Sequence, residues 1–135
     1  MVNEIIVELQ RKGRFIPKYI VSTPSVWQSR LYVANQLDES TDKERKYALL
    51  EDIYKEKTFR YNKDIHGAYE TYIEEKVKFL LCLAKLSIEV GKPPENSIPY
   101  IEEALVMLDG AESVHPYINP KEVSSLQKEI YSMIK

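Results

Sequence analysis

Apolar residues recur along most of this chain at intervals of three and four, the spacing that places them on one side of a helix. The longest run passes through Tyr69, Tyr72, Ile73, Val77, Leu80, Ala84 and Ile88, and Phe79, Leu83, Leu86 and Val90 add a second apolar face toward its end. A helix that begins amphipathic and becomes apolar nearly all round needs cover on several sides, so the pattern predicts a central helix over about 66–90. Gly91-Lys92-Pro93-Pro94 ends it, with glycine free to turn left-handed and two prolines preventing resumption. A further helix follows, capped by Asn96 or Ser97 with Pro99 in its first turn. Its apolar face is Ile98, Ile101, Ala104, Leu105 and Leu108, and Gly110 is its terminator. Asn119-Pro120-Lys121-Glu122 opens a last helix. Ile118 and Val123 are spaced as a hydrophobic staple, and Val123, Leu126, Ile130 and Ile134 form its stripe.

Upstream, Thr41-Asp42-Lys43-Glu44 reads as a capping box that opens a helix to about residue 62, carrying Tyr47, Leu50, Tyr54 and Tyr61. Thr23-Pro24 starts an earlier helix through Trp27, Leu31, Ala34 and Leu37. Residues 1–22 fit two arrangements. Asn3 to Lys12 has the early acid, late base and following Gly13 of a short helix, while Glu4–Leu9 and Arg14–Val21 also fit a hairpin across Arg11-Lys12-Gly13. The helix is preferred because every other segment is helical. The expected fold is therefore all-α, with residues 1–135 forming one domain. Five to six antiparallel helices, as a bundle or a repeat-like array, surround the central one.

Leu80, the pair Leu83-Ala84, Gly91, Ser97, Ile101 and Ala104 stand where a helical repeat keeps its large, small and turn residues. On these positions the stretch from Leu80 to Asp109 resembles a single tetratricopeptide repeat, which implies repeat-like packing of two helices. It departs from that pattern by one extra residue between Lys92 and Asn96, and by Asp109 in place of the closing proline.

Composition adds that 44% of the residues are apolar and 30% charged, a globular balance. The formal charge is -2, which gives no overall drive toward nucleic acid or an anionic membrane. No apolar run is long enough to span a membrane, and the start lacks the pattern of a secretory signal, so no membrane partner and a cytoplasmic location are expected. The total hides an asymmetry. Residues 1–36 carry Arg11, Lys12, Arg14, Lys18 and Arg30 against Glu4 and Glu8, a local +3, which leaves -5 for the remainder.

Candidate chemistry is sparse. Cys82 lies in an apolar run and reads as a small buried hydrophobe of a reducing compartment. His66 and His115 have no ligand neighbour at metal-binding spacing and are expected at the surface. The glycines are too scattered for a phosphate loop, and no nucleophile elbow occurs. The residues assemble no catalytic set and ask for no cofactor or metal, so a non-enzymatic protein is expected.

The ten tyrosines are the outlier. Tyr47, Tyr54 and Tyr61 recur every seven residues, and Tyr69 and Tyr72 continue the enrichment. Tyrosine joins apolar area to a hydroxyl that can stay wet, which suits a surface for a protein or peptide partner. These five are the candidate partner-binding residues of an adaptor or regulatory module, and the C-terminal stripe is a candidate homo-oligomer contact. The alternative is a small DNA-binding protein. Residues 16–30 resemble a turn leading into a recognition helix, with Ser25, Gln28, Ser29 and Arg30 toward the groove and Arg11, Lys12, Arg14 and Lys18 toward phosphate.

Overall fold

A computed structural model describes residues 2–109 and 120–134 of the chain, and every regular element among them is helical. The chain divides into two compact units, Met1–Phe59 and Arg60–Lys135.

The first unit contains α1 (Val2–Arg11), α2 (Lys18–Ser22), α3 (Trp27–Gln36) and α4 (Lys43–Glu56). Ile5, Ile6 and Leu9 line the buried side of α1, so the first segment is helical and residues 18–22 form a helix of their own. Helix α3 packs against α1, α2 and α4. It begins at Trp27 because Thr23, expected to open it, turns back instead: its hydroxyl donates to the Tyr19 carbonyl at 2.7 Å and closes α2. The Trp27 ring stacks on Phe59 with centroids 4.2 Å apart.

Helix α4 starts after Asp42, whose carboxylate accepts from Arg45 at 2.8 Å and caps no helix amide. It stops at Glu56, short of the expected residue 62. Lys57 takes a left-handed conformation with φ 56°, and its N–H donates to the Tyr54 carbonyl at 3.2 Å. Such a conformation costs a residue with a side chain roughly 1–2 kcal/mol, so the surrounding contacts impose it.

Long-range ion pairs close the surface of this unit. Arg45 grips both Glu8 oxygens at 2.7 and 3.1 Å, joining α4 to α1. Hydrogen bonds from Arg45, then Lys12, pull the Glu8 carboxyl down to about 2. Arg30 forks onto Glu56, one arm at 2.9 Å, and this lowers the Glu56 carboxyl below its ordinary value.

The second unit contains α5 (Lys63–His66), α6 (Tyr69–Glu89), a 3-10 turn (Pro94–Ser97), α7 (Ile98–Asp109) and α8 (Pro120–Ser132). The expected central segment is thus helical from Tyr69 to Glu89. Helix α6 packs against α5, α7 and the 3-10 turn, and α8 packs against α7 and the same turn. Gly91 ends α6 as its sequence signals, with φ 89°. Leu80, Leu83, Ala84, Ser97, Ile101 and Ala104 are all buried where α6 meets the turn and α7. Ser97, expected as a cap, instead sends its hydroxyl to the Ala84 carbonyl at 2.9 Å and ties the turn onto α6. The expected terminator Gly110, the cap at Asn119, Ile118 of the staple and His115 lie outside the described residues.

Two serines of this unit are fully buried with opposite hydrogen bonding. Ser97 is bonded, whereas Ser87 Oγ has no partner among the described residues. A buried hydroxyl without a partner costs its desolvation. Ser97→Ala is therefore expected to lower stability by about 1–2 kcal/mol and Ser87→Ala to leave it unchanged or raise it by up to about 1 kcal/mol, measured by urea unfolding. Equal losses in both variants would refute this.

The first unit yields a pH prediction. Because the Glu8 carboxyl is depressed from 4.5 to about 2 in the fold, its contribution is present above pH 4.5 and is lost as pH falls toward 2. Glu8→Gln is expected to melt earlier than the parent at neutral pH, with the gap closing in acid. A gap that is constant across that range would contradict the pairing.

Candidate functional site

The stretch between Lys57 and α6 gathers the aromatic residues that the sequence spreads along the chain. Asn62 shapes it: its side-chain oxygen accepts from the Asp64 N–H at 2.9 Å and starts the single turn of α5. Gly67, at φ 71°, ends that turn and redirects the chain into α6. The Tyr61 hydroxyl donates to the Gly67 carbonyl at 2.7 Å, which holds Tyr61 over the turn.

Four rings then meet at the head of α6. Tyr61 lies edge-on to Tyr69 and Tyr72, with centroids 5.2 and 5.8 Å away, and stacks on His66 at 5.9 Å. His66 also meets Tyr72 edge-on at 5.1 Å. These separations and tilts are those of favourable aromatic pairs. His66 and Tyr72 are buried, whereas Tyr61 is 38% exposed and Tyr69 53%. The cluster therefore has a buried floor and an outer layer open to water, and Ile65 on the same turn is exposed as well.

Charge borders the rings. Lys76, one turn along α6, places its ammonium 5.7 Å from the Tyr72 centroid and 3.3 Å from its hydroxyl, and lies 3.8 Å from Glu103 of α7. Burial pushes the Glu75 carboxyl up. His66 Nδ1 accepts from the Asn62 N–H at 3.0 Å.

The chain matches no protein-family model, no curated protein and no solved structure.

The five expected tyrosines divide between the units. Tyr61, Tyr69 and Tyr72 come together in the second. Tyr47 and Tyr54 belong to α4 in the first, where Tyr47 is buried with its hydroxyl on Glu51 at 2.6 Å and Tyr54 is half-buried. His66, expected at the surface, is buried in the cluster, because Tyr61 and Tyr72 close over its ring. Residues 61, 66, 69 and 72 place four rings within twelve positions around one glycine turn, a pattern legible in the sequence. Cys82 is half-buried rather than enclosed.

The residues of the DNA-binding alternative fare unevenly. Ser29, expected in the groove, is buried, and Arg30 is occupied by Glu56 and by the Ser25 carbonyl at 2.8 Å. Gln28 is half-buried; Arg11, Lys12, Arg14 and Lys18 are exposed. In the C-terminal stripe, Val123 and Ile130 are buried, and Leu126 and Ile134 are half-buried. An open depression of about 380 Å³ beside Lys85 and α8 is lined mainly by charged side chains of both signs. Among the described residues no three His, Cys, Asp or Glu gather as metal ligands, and no helix is long and apolar enough to cross a membrane.

Glu75 provides a test of this environment. A carboxyl raised by burial favours the fold in its protonated form, and that preference is lost as pH rises through its folded value. Glu75→Gln is expected to raise the melting temperature at pH 7, with the gain vanishing below pH 4.5, the ordinary value. A melting temperature that falls at pH 7 would show that the carboxylate is stabilising instead.

Proposed function

We propose that the chain acts by binding another protein, as a cytoplasmic adaptor or regulatory module, through the ring cluster at the head of α6. The supporting observation is the pairing of a buried floor, His66 and Tyr72, with two exposed rings, Tyr61 and Tyr69. Rings held by neighbours lose little conformational entropy when a partner covers them, and interface energy concentrates in such anchors. Tyr61 is fixed by its bond to Gly67, so it is ordered before any partner arrives. The acidic balance beyond residue 36 would steer a basic partner toward this unit.

In this reading α6, the 3-10 turn and α7 form the rigid support, packed as a repeat-like hairpin within a helical bundle. Ser97 and the small residues Ala84 and Ala104 let the two helices approach closely. The segment carrying Tyr61 and His66 lies before that hairpin, so it is the part free to vary with the partner while the hairpin stays constant.

The experiment compares proteins retained from the native host by the parent chain and by Tyr61→Ser with Tyr69→Ser. Both side chains are outer-layer, so the variant is expected to keep its helical circular dichroism. A partner retained by the parent is expected to bind the variant at least tenfold more weakly, as removal of an aromatic anchor worth about 1.4 kcal/mol or more implies. Retention of every partner with unchanged affinity would exclude this face.

A further inference from the structure

A second surface, in the first unit, combines charge and exposed apolar side chains in a way the ring cluster does not. From Leu9 to Val26 the chain carries Arg11, Lys12, Arg14 and Lys18 and no acidic residue. Within that stretch Phe15 is 82% exposed and Tyr19 65%, and Val21 and Val26 are exposed too. This is built geometry. Gly13, at φ 85°, turns the chain after α1, and the Arg14 N–H donates to the Leu9 carbonyl at 3.0 Å. Ile16 and Ile20 are buried, and Phe15 and Tyr19, each next to one of these anchors, are exposed.

The cations differ in how far they are compensated. Lys12 pairs with Glu8, which Arg45 also holds. Arg14 donates to the neutral Gln36 carbonyl at 2.9 Å, with Asp38 near enough to feel its charge. Arg11 and Lys18 have no acidic partner among the described residues.

The occupant of such a surface must offer negative charge and an apolar phase together. It must also accept a protruding ring without a preformed pocket. A nucleic acid supplies the charge, but it engages rings by stacking and offers nothing to Val21 and Val26. An acidic protein would need a concavity shaped to Phe15. The surface of an anionic bilayer meets every requirement, since interfacial segments place aromatic and aliphatic side chains at the headgroup boundary with Lys and Arg beside lipid charge.

We propose that residues 11–26 dock this unit onto the surface of a bilayer containing anionic lipid, with Phe15 and Tyr19 entering the headgroup boundary and Arg11 and Lys18 lying at the level of the phosphates. The net charge of -2 does not oppose this, because screening over about 8 Å makes a surface respond to local charge. Such docking needs no spanning helix, and it is independent of the ring cluster at the head of α6.

The test is co-sedimentation of the full chain with phosphatidylcholine vesicles, with and without about 30% phosphatidylserine. Emission of Phe15→Trp is read in parallel, with the parent chain, whose Trp27 is stacked on Phe59, as control. Binding is expected only with phosphatidylserine and is expected to weaken at about 0.5 M salt. Phe15→Ala should lower partitioning about tenfold, and Arg11→Ala with Lys18→Ala about 25-fold, or about fivefold per cation. The Phe15→Trp emission should shift to the blue on anionic vesicles alone, and Tyr61→Ser with Tyr69→Ser should bind vesicles as the parent does. Absence of binding to anionic vesicles overturns the proposal. So does binding indifferent to Phe15→Ala, or emission that changes only with a single-stranded oligonucleotide, which would assign the surface to nucleic acid.

Discussion

The second unit is organised by the need to cover α6. Nine of its 21 residues are buried, from Tyr72 to Ser87, and they occupy more than one side of the helix. One neighbour cannot cover such a helix, so the chain returns to it at both ends, with α5 before it and the 3-10 turn and α7 after it. The return after Glu89 is forced into a few residues. Gly91 and the two prolines allow the reversal, and Ser97 gives its hydroxyl to the Ala84 carbonyl where a capping bond would otherwise be made. The candidate site follows from the same demand. At its head, α6 is covered by Tyr61 and His66, residues with polar groups, where further along the buried residues of the turn and α7 are Ser97, Tyr100, Ile101 and Ala104. A core that ends in tyrosines can run out into water without leaving an unsatisfied edge, because each ring has a hydroxyl to hydrate or to bond.

The first unit is closed differently. Its helices are short, and the links between its distant segments include ion pairs, Arg45 to Glu8 across 37 positions and Arg30 to Glu56 across 26. Exposed pairs of this kind contribute little stability each. Their larger consequence is selective: they decide which cations remain available. Arg30 and Arg45 are consumed within the unit, while Arg11 and Lys18 are left facing water. A local charge summed along the sequence counts all of these alike. The structure leaves a smaller basic surface, beside Phe15 instead of on α3.

Much of the secondary structure is legible from spacing and punctuation. The period of α6 and the Gly91 stop are written in consecutive residues, and so is the stripe of α8. The start of α3 and the capping of α4 are less legible, for a reason common to both. Thr23 and Asp42 are residues that cap helices, but each has a competing partner, the Tyr19 carbonyl and the Arg45 guanidinium. Capping propensity describes what a side chain does in the absence of such partners. The burial of His66 depends on a turn as well as on spacing: its neighbours are Ile65 and Gly67, and the Gly67 turn brings Tyr61 and Tyr72 over its ring.

The tyrosine stripe shows where periodic reasoning ends. Residues 47, 54 and 61 share a face only for as long as one helix contains them, and α4 ends at Glu56. Nothing in Lys57 announces a left-handed residue, since glycine and asparagine are the types that adopt it readily. Because Lys57 does adopt it, Tyr61 leaves the register of Tyr47 and Tyr54 and joins His66, Tyr69 and Tyr72 in the second unit. The enrichment in tyrosine therefore outlasts its period. Composition survives a break in the helix, whereas a repeat of seven loses its meaning at the first residue that is no longer helical.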